Sequence, residues 1–291
     1  MSKGLGVALV TPFKEDLSID YEALGNLISH VITGGVDYIV VLGTTAETPT
    51  LSLEEKNEVA RFIRKKTDNQ VPLVLGIGGN NTKGVINDIL SRDLDGYSAI
   101  LSVTPYYNKP TQEGLYLHFK EISQASPLPI LLYNVPGRTG VNLSAATTLR
   151  LVETCPNICG IKEASGDINQ AKEIIDKAPS KFNLVSGNDS DIYSIMQLGG
   201  KGVISVLANA FPAEVKKIVS LCNNRQFEEA KKLQEDLNPL IGHLFEDGNP
   251  GGVKALLTQL GLVKNILRLP LVPVGRTVYE NLSKKSAKYI K

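Results

Sequence analysis

The chain has 291 residues, 42% hydrophobic and 21% charged, with a net charge of +1. This composition supplies a large core and excludes a disordered chain, and the even spread of Lys and Arg excludes a basic surface for nucleic acid or an anionic membrane. No apolar run approaches a membrane span, Met-Ser-Lys-Gly-Leu-Gly carries no apolar signal region, and the sparse Cys155, Cys159 and Cys222 read as reduced thiols of a cytoplasmic protein.

Eight short apolar runs recur along the chain, each ending in a turn-forming residue: Leu5–Phe13, Tyr38–Gly43, Val71–Ile77, Ala99–Thr104, Ile130–Asn134, Ile158–Lys162, Asn183–Ser186 and Val203–Leu207. Such continuous hydrophobicity fits strands buried on both faces, as in a parallel sheet. Helical spacing fills the gaps. Leu24, Leu27, Ile28, Val31 and Ile32 follow Asp20, and Ser52 with Glu55 forms a capping box ahead of Val59, Phe62 and Ile63. Thr82, Thr111, Ser144 and Ser190 are expected N-caps, and Pro212 stands where a helix would start.

Strict strand–helix alternation allows a closed (β/α)8 TIM barrel or an open doubly wound sheet. The Gly76-Ile77-Gly78-Gly79 cluster lacks the G-x-G-x-x-G spacing of a dinucleotide loop, which favours the barrel. From about Arg225 the strand signal stops and two helical periods follow, the second opened by Pro250. The expected organisation is a TIM-barrel catalytic domain over residues 1–224 and a C-terminal helical domain over 225–291. His30, His118 and His243 stand isolated and read as structural, and no metal or other cofactor is expected.

Lys162 is the most informative residue. It ends the sixth apolar run, where a lysine must give up most of its hydration, and a neutral amine can attack a ketone to form a Schiff base. In a barrel the catalytic groups gather at the C-terminal ends of the strands. Those ends carry Thr44 and Thr45 after the second run, Tyr106 and Tyr107 after the fourth, Tyr133 and Arg138 at the fifth, Gly187 after the seventh, and Ile204 in the eighth. Hydroxyls can relay the protons of carbinolamine chemistry, the Gly-Thr-Thr turn can offer N–H groups to a carboxylate, and Arg138 offers a planar fork for a second one. Plainer uses exist: a snorkelling stem for Lys162, packing for the tyrosines, an ordinary turn for Thr44 and Thr45, a solvated charge for Arg138. Glu47 and Glu163 read as structural. The gathering of the unusual residues at one end of the strands favours the chemical reading.

The segments GTTAE at 43–47, TPYYNKP at 104–110, YNVPGRTG at 133–140, GIKEAS at 160–165, SGND at 186–189 and GVISVLAN at 202–209 resemble the dihydrodipicolinate synthase (4-hydroxy-tetrahydrodipicolinate synthase) family, in order and spacing across almost the whole chain. The resemblance implies a lyase that condenses pyruvate with L-aspartate 4-semialdehyde on the way to diaminopimelate and lysine. It implies Lys162 as the Schiff-base residue, Tyr133 as proton donor and acceptor, and Thr44 and Tyr107 as partners in a hydroxyl relay, with Tyr107 reaching in from a neighbouring subunit. It further implies Thr45 at the pyruvate carboxylate, Arg138 at the aldehyde's carboxylate, Gly187 and Ile204 as backbone lining the pocket, and a homotetramer built as a dimer of dimers. Pyruvate-dependent aldolases of the N-acetylneuraminate lyase type share the turn, the tyrosine and the lysine, but generally lack the arginine. A non-catalytic barrel that binds pyruvate-like ligands, or a flavin- or phosphate-binding barrel, fits the same ends less well.

Two departures stand out. The turn carries Ala46 where the family has glycine, at a cost of about 1 kcal/mol if that position needs φ > 0. Lysine-inhibited relatives place histidines and an acidic residue at the positions of Leu53, Lys56 and Gly84, while Asn80 and Tyr106 are kept here. Without the acidic partner, feedback inhibition by L-lysine is expected to be weak or absent.

Overall fold

In the computed structural model, which describes residues 3–290, the eight runs form eight parallel strands. They are β1 Gly4–Ala8, β2 Tyr38–Val41, β3 Leu73–Gly76, β4 Tyr97–Val103, β5 Ile130–Asn134, β6 Ile158–Glu163, β7 Asn183–Ser186 and β8 Gly202–Ser205. Each pairs with the next, and β8 pairs back onto β1 to close the barrel. The expected TIM barrel is therefore present. Residues Met1, Ser2 and Lys291, the outer ends of the two expected domains, lie outside the described residues.

Closure imposes a close approach at one seam. Gly4 and Gly202 face each other in register with φ of 83° and 149°, and a Cβ on Gly202 would sit 1.9 Å from the Gly4 carbonyl oxygen. Only glycine fits both the conformation and the space. Beside the seam, Asp37 accepts from the Leu5 N–H at 2.7 Å and pairs with Lys216.

Strand period sorts the side chains into two cores. Ala8, Val40, Leu101, Leu131, Tyr133 and Ile204 point inward, whereas Val7, Ile39, Ile100, Leu132 and Ile161 meet the surrounding helices. Those helices are α1 Tyr21–Thr33, α2 Leu53–Thr67, α3 Thr82–Ser91, α4 Gln112–Ala125, the single turn α5 Pro136–Thr139, α6 Ala145–Thr154, α7 Ile168–Lys177, α8 Ile192–Gln197 and α9 Pro212–Asn223. Three further helices, α10 Phe227–Glu246, α11 Gly251–Gln259 and α12 Arg276–Ser286, form the C-terminal part of the chain. No helix among the described residues is long and apolar enough to cross a membrane.

Ser52, Thr111 and Ser144 cap their helices as expected, Ser52 in a full capping box with Glu55, and Asp20 caps α1. Two expected caps shift. Asn81 caps α3, accepting from the Gly84 N–H, because the hydroxyl of Thr82 is turned instead to His118. Ser190 lies inside a 3-10 turn, and α8 starts beyond it with Asp191 at the cap position and no side-chain capping bond.

The histidines have structural surroundings. His30 Nε2 lies 3.0 Å from the Ala210 carbonyl oxygen, and His243 pairs with Glu246. His118 is buried in α4 with Nδ1 2.9 Å from the Thr82 hydroxyl and Nε2 without a partner among the described residues. Burial pushes His118 down to about 4, because the second N–H of an imidazolium would have nowhere to go. Between pH 6.5 and about 4 the unfolded chain holds this proton and the folded chain does not. Stability is thus complete above the unfolded value and falls by up to roughly 3 kcal/mol as pH drops through that window. Urea unfolding of the parent and of His118→Asn should therefore converge in stability as pH falls from neutral to 4. Parallel curves would show that His118 is not the linked group.

Candidate active site

β5 and β6 run in register with Tyr133 opposite Lys162, both pointing inward. Lys162 is 5% exposed, and its Nζ lies 4.3 Å from the centre of the Tyr133 ring. Among the described residues it forms no ion pair. Gly187, just beyond β7, makes room for the lysine stem. A Cβ there would fall 2.6 Å from that of Ala164 and 3.1 Å from Lys162 Cε. Ile204 of β8 packs in the same interior cluster as Tyr133.

The Gly-Thr-Thr turn forms one 3-10 turn over Thr44–Ala46. The Ala46 N–H donates to the Gly43 carbonyl at 3.1 Å, as does the Thr48 hydroxyl at 2.8 Å. The left-handed residue is Glu47, with φ of 55°, and not Ala46. Ala46 therefore carries no backbone penalty, and the strain considered for it does not arise. Thr44 is exposed, whereas Thr45 is buried. Thr45 Oγ1 accepts from Asn249 Nδ2 at 3.0 Å, and Arg138, exposed on α5, donates from Nη2 to the Asn249 carbonyl at 3.4 Å. Tyr107 stands apart. It is 89% exposed, with φ of 74°, a conformation uncommon for a large side chain and typical of functional loops. The structure thus gathers Lys162, Tyr133, Gly187 and Ile204 inside the barrel, sets Thr44, Thr45 and Arg138 on its rim, and leaves Tyr107 projecting.

Three supporting groups were given no role by the sequence reading. Asn249 reaches the rim from the C-terminal helices. Asp189 is buried, and accepts from the Ser205 hydroxyl and from the Val206 and Leu207 N–H groups. Burial raises its carboxyl above the ordinary range, against the opposing effect of those bonds and of nearby Lys162. Lys254 of α11 is fully buried and ion-paired with Glu47, whose other oxygen accepts from the Arg268 N–H at 3.0 Å. Burial pushes Lys254 down to about 8, with Glu47 opposing the shift. Lys254 carried a readable signal, since it interrupts the apolar stretch Val253-Lys254-Ala255-Leu256-Leu257. Asn249 carried none. Glu163 is structural, as read: it accepts from Asn134, from Gln170 and from the Ser165 N–H.

Residues 1–288 match the Dihydrodipicolinate synthetase family. The chain belongs to that family. It is 50% identical over 280 residues to the 4-hydroxy-tetrahydrodipicolinate synthase of Parabacteroides distasonis, covering 96% of this chain and 94% of the relative. It is also 50% identical to that of Flavobacterium psychrophilum, over 96% and 95% of the two chains. The dihydrodipicolinate synthase structure from Thermotoga maritima superposes with a TM-score of 0.96 at 38% identity, over 98% of each chain. The chloride-inhibited Acinetobacter baumannii synthase complexed with pyruvate gives 0.96 at 40% identity, over the full length of both. The family's barrel matches the one described above.

The Glu47–Lys254 pair makes a stability prediction. Lys254→Met strands the Glu47 carboxylate in the interior and should cost about 3–5 kcal/mol, with Glu47→Gln similarly costly and the double variant recovering much of the loss. Urea unfolding of the four proteins measures the coupling, and additive losses would refute it.

Proposed function

We propose that the chain is a class I, Schiff-base lyase that condenses pyruvate with L-aspartate 4-semialdehyde to 4-hydroxy-tetrahydrodipicolinate, the reaction of its family in lysine and diaminopimelate biosynthesis. The observation that carries the residue assignment is Lys162, buried without a carboxylate partner among the described residues and set against the Tyr133 ring.

Lys162 Nζ adds to the ketone of pyruvate and water leaves, giving an iminium. Tyr133 moves the protons at that centre, in a relay with Thr44 and Tyr107. Loss of a methyl proton gives the enamine, whose carbon attacks the aldehyde. The amine of the second substrate then attacks the imine carbon, closing the ring and releasing Lys162. Thr45 receives the pyruvate carboxylate and Arg138 that of the aldehyde, while Gly187 and Ile204 line the pocket with backbone. Arg138 at the rim favours this reaction over a sugar-acid aldolase, which has no second carboxylate at that point to hold.

Tyr107 is donated to the site of a neighbouring subunit, within a homotetramer built as a dimer of dimers. Its exposure and left-handed backbone support that use, since neither serves packing within its own chain. The helices over 225–291 act as a structural extension of one catalytic barrel over 1–224. The three free cysteines suit a cytoplasmic location.

Turnover of both substrates, coupled to a downstream reductase, should be present in the parent and absent in Lys162→Ala. Borohydride with pyruvate should fix the adduct on the parent only. Adduct without turnover would keep the Schiff base and move the second substrate to a sugar-derived aldehyde.

Regulation follows from the outer face of α2 and α3. Leu53 is exposed there, and Asn80 Nδ2 donates to the Tyr106 carbonyl at 3.2 Å. No carboxylate stands at Leu53, Lys56 or Gly84 to meet an ammonium, and Lys56 repels one. L-Lysine should inhibit weakly or not at all in the coupled assay. Near-complete inhibition at submillimolar L-lysine would refute this.

A further inference from the structure

The C-terminal helices touch the rim at two places on one short turn. Lys254 reaches Glu47 and Asn249 reaches Thr45. Packing of α11 against the end of α10 sets this placement, since a Cβ on Gly252 would lie 2.0 Å from the Leu244 carbonyl oxygen. Asn249, in the connection just before α11, is 9% exposed. Its Nδ2 donates to Thr45 Oγ1, and its Oδ1 has no partner among the described residues.

A threonine hydroxyl has one proton and two lone pairs. When Oγ1 accepts from an amide, its proton remains free to be donated elsewhere. Were the neighbour an acceptor, that proton would be taken and Thr45 would offer lone pairs to an anion. The same residue 249 also accepts from Arg138 through its carbonyl.

From this geometry we infer that Asn249 is a positioning residue, which sets the Thr45 hydroxyl as a donor to the carboxylate of the keto-acid substrate and seats Arg138 on the same point of the chain. The inference rests on the proposed role of Thr45 at that carboxylate. The link couples the two carboxylate-binding ends of the site through a residue that touches neither substrate.

The test uses borohydride trapping on the full chain, with the fraction of adduct read at rising pyruvate, so that it does not depend on the second substrate. Asn249→Ala should raise the half-saturating pyruvate concentration about tenfold. Asn249→Asp should raise it further, because a carboxylate captures the Thr45 proton and repels the substrate. In a Thr45→Val background, Asn249→Ala should change it by no more than about twofold, since its influence passes through Thr45. In steady-state turnover KM for pyruvate should rise with kcat less affected, while KM for the aldehyde changes less, because the 249 carbonyl that Arg138 meets is kept in the variant. Circular dichroism confirms that each variant is folded, and Asn249→Ser replaces Asn249→Ala if the latter is not.

Parent-like half-saturation in Asn249→Ala would overturn the inference. So would an equal rise in both backgrounds, which marks a purely structural residue, or a parent-like Asn249→Asp, which marks an acceptor. An equal KM rise for both substrates would show that the whole turn has shifted and would overturn the specific role of the Asn249 side chain. If Thr45→Val alone leaves half-saturation unchanged while trapping persists, the role of Thr45 fails and the inference with it, but the Schiff base stands. If the folded parent traps no pyruvate, the proposed function itself is refuted.

Discussion

A closed parallel barrel removes water from both faces of every strand, so an inward-pointing ionisable group must find a partner or stay unpaired. Two lysines among the described residues are buried, and they are resolved in opposite ways. Lys254 meets the Glu47 carboxylate and the Ile266 carbonyl, with the Phe13 ring 4.2 Å away. Lys162 meets the ring of Tyr133 and, among the described residues, no carboxylate within ion-pair distance. The first arrangement satisfies an ammonium, because opposite charge and hydrogen bonds compensate lost hydration. The second leaves an amine available for chemistry.

The barrel explains why the paired lysine matters to the unpaired one. Strand ends are fixed by the closed ladder, but the loops beyond them are not. The GTTAE turn is held from outside by Lys254, by the Arg268 N–H and by Asn249. Arg268 also pairs with Glu55 and donates to the Thr50 carbonyl at 2.9 Å, so the same residue ties the start of α2 to the turn. The rim turn is thereby anchored at several points by the C-terminal part of the chain. Preorganisation of this kind lets binding groups act without first being ordered by the substrate.

Much of this was legible in the sequence, for physical reasons. Eight apolar runs separated by helical periods leave few architectures, and the absence of a phosphate-loop spacing removed the open sheet. Lys162 stood out because a charge at the end of an apolar strand is costly. Whether Ala46 is strained stays open in the sequence because the left-handed residue of a turn cannot be placed from composition: it sits one residue later, at Glu47. Thr82 was misassigned as a cap because its hydroxyl is claimed by His118, which lies 36 residues on. Asn249 was invisible because its partner is Thr45, 204 residues away, and nothing local marks an asparagine before a proline as anything but a turn.

Asp189 completes the electrostatic account of the interior. An ionised carboxylate close to Lys162 would favour the ammonium form and oppose nucleophilic attack. Yet the chain places an aspartate there, fully buried at the head of the turn after β7. Its oxygens are engaged by the Ser205 hydroxyl and by the Val206 and Leu207 N–H groups, which tie the end of β8 and the segment after it to the turn after β7. Burial raises its carboxyl despite these bonds. The aspartate serves as a structural clamp for β7 and β8 while standing near the Lys162 amine. An asparagine would keep an acceptor for the two N–H groups, but would have one acceptor oxygen in place of two.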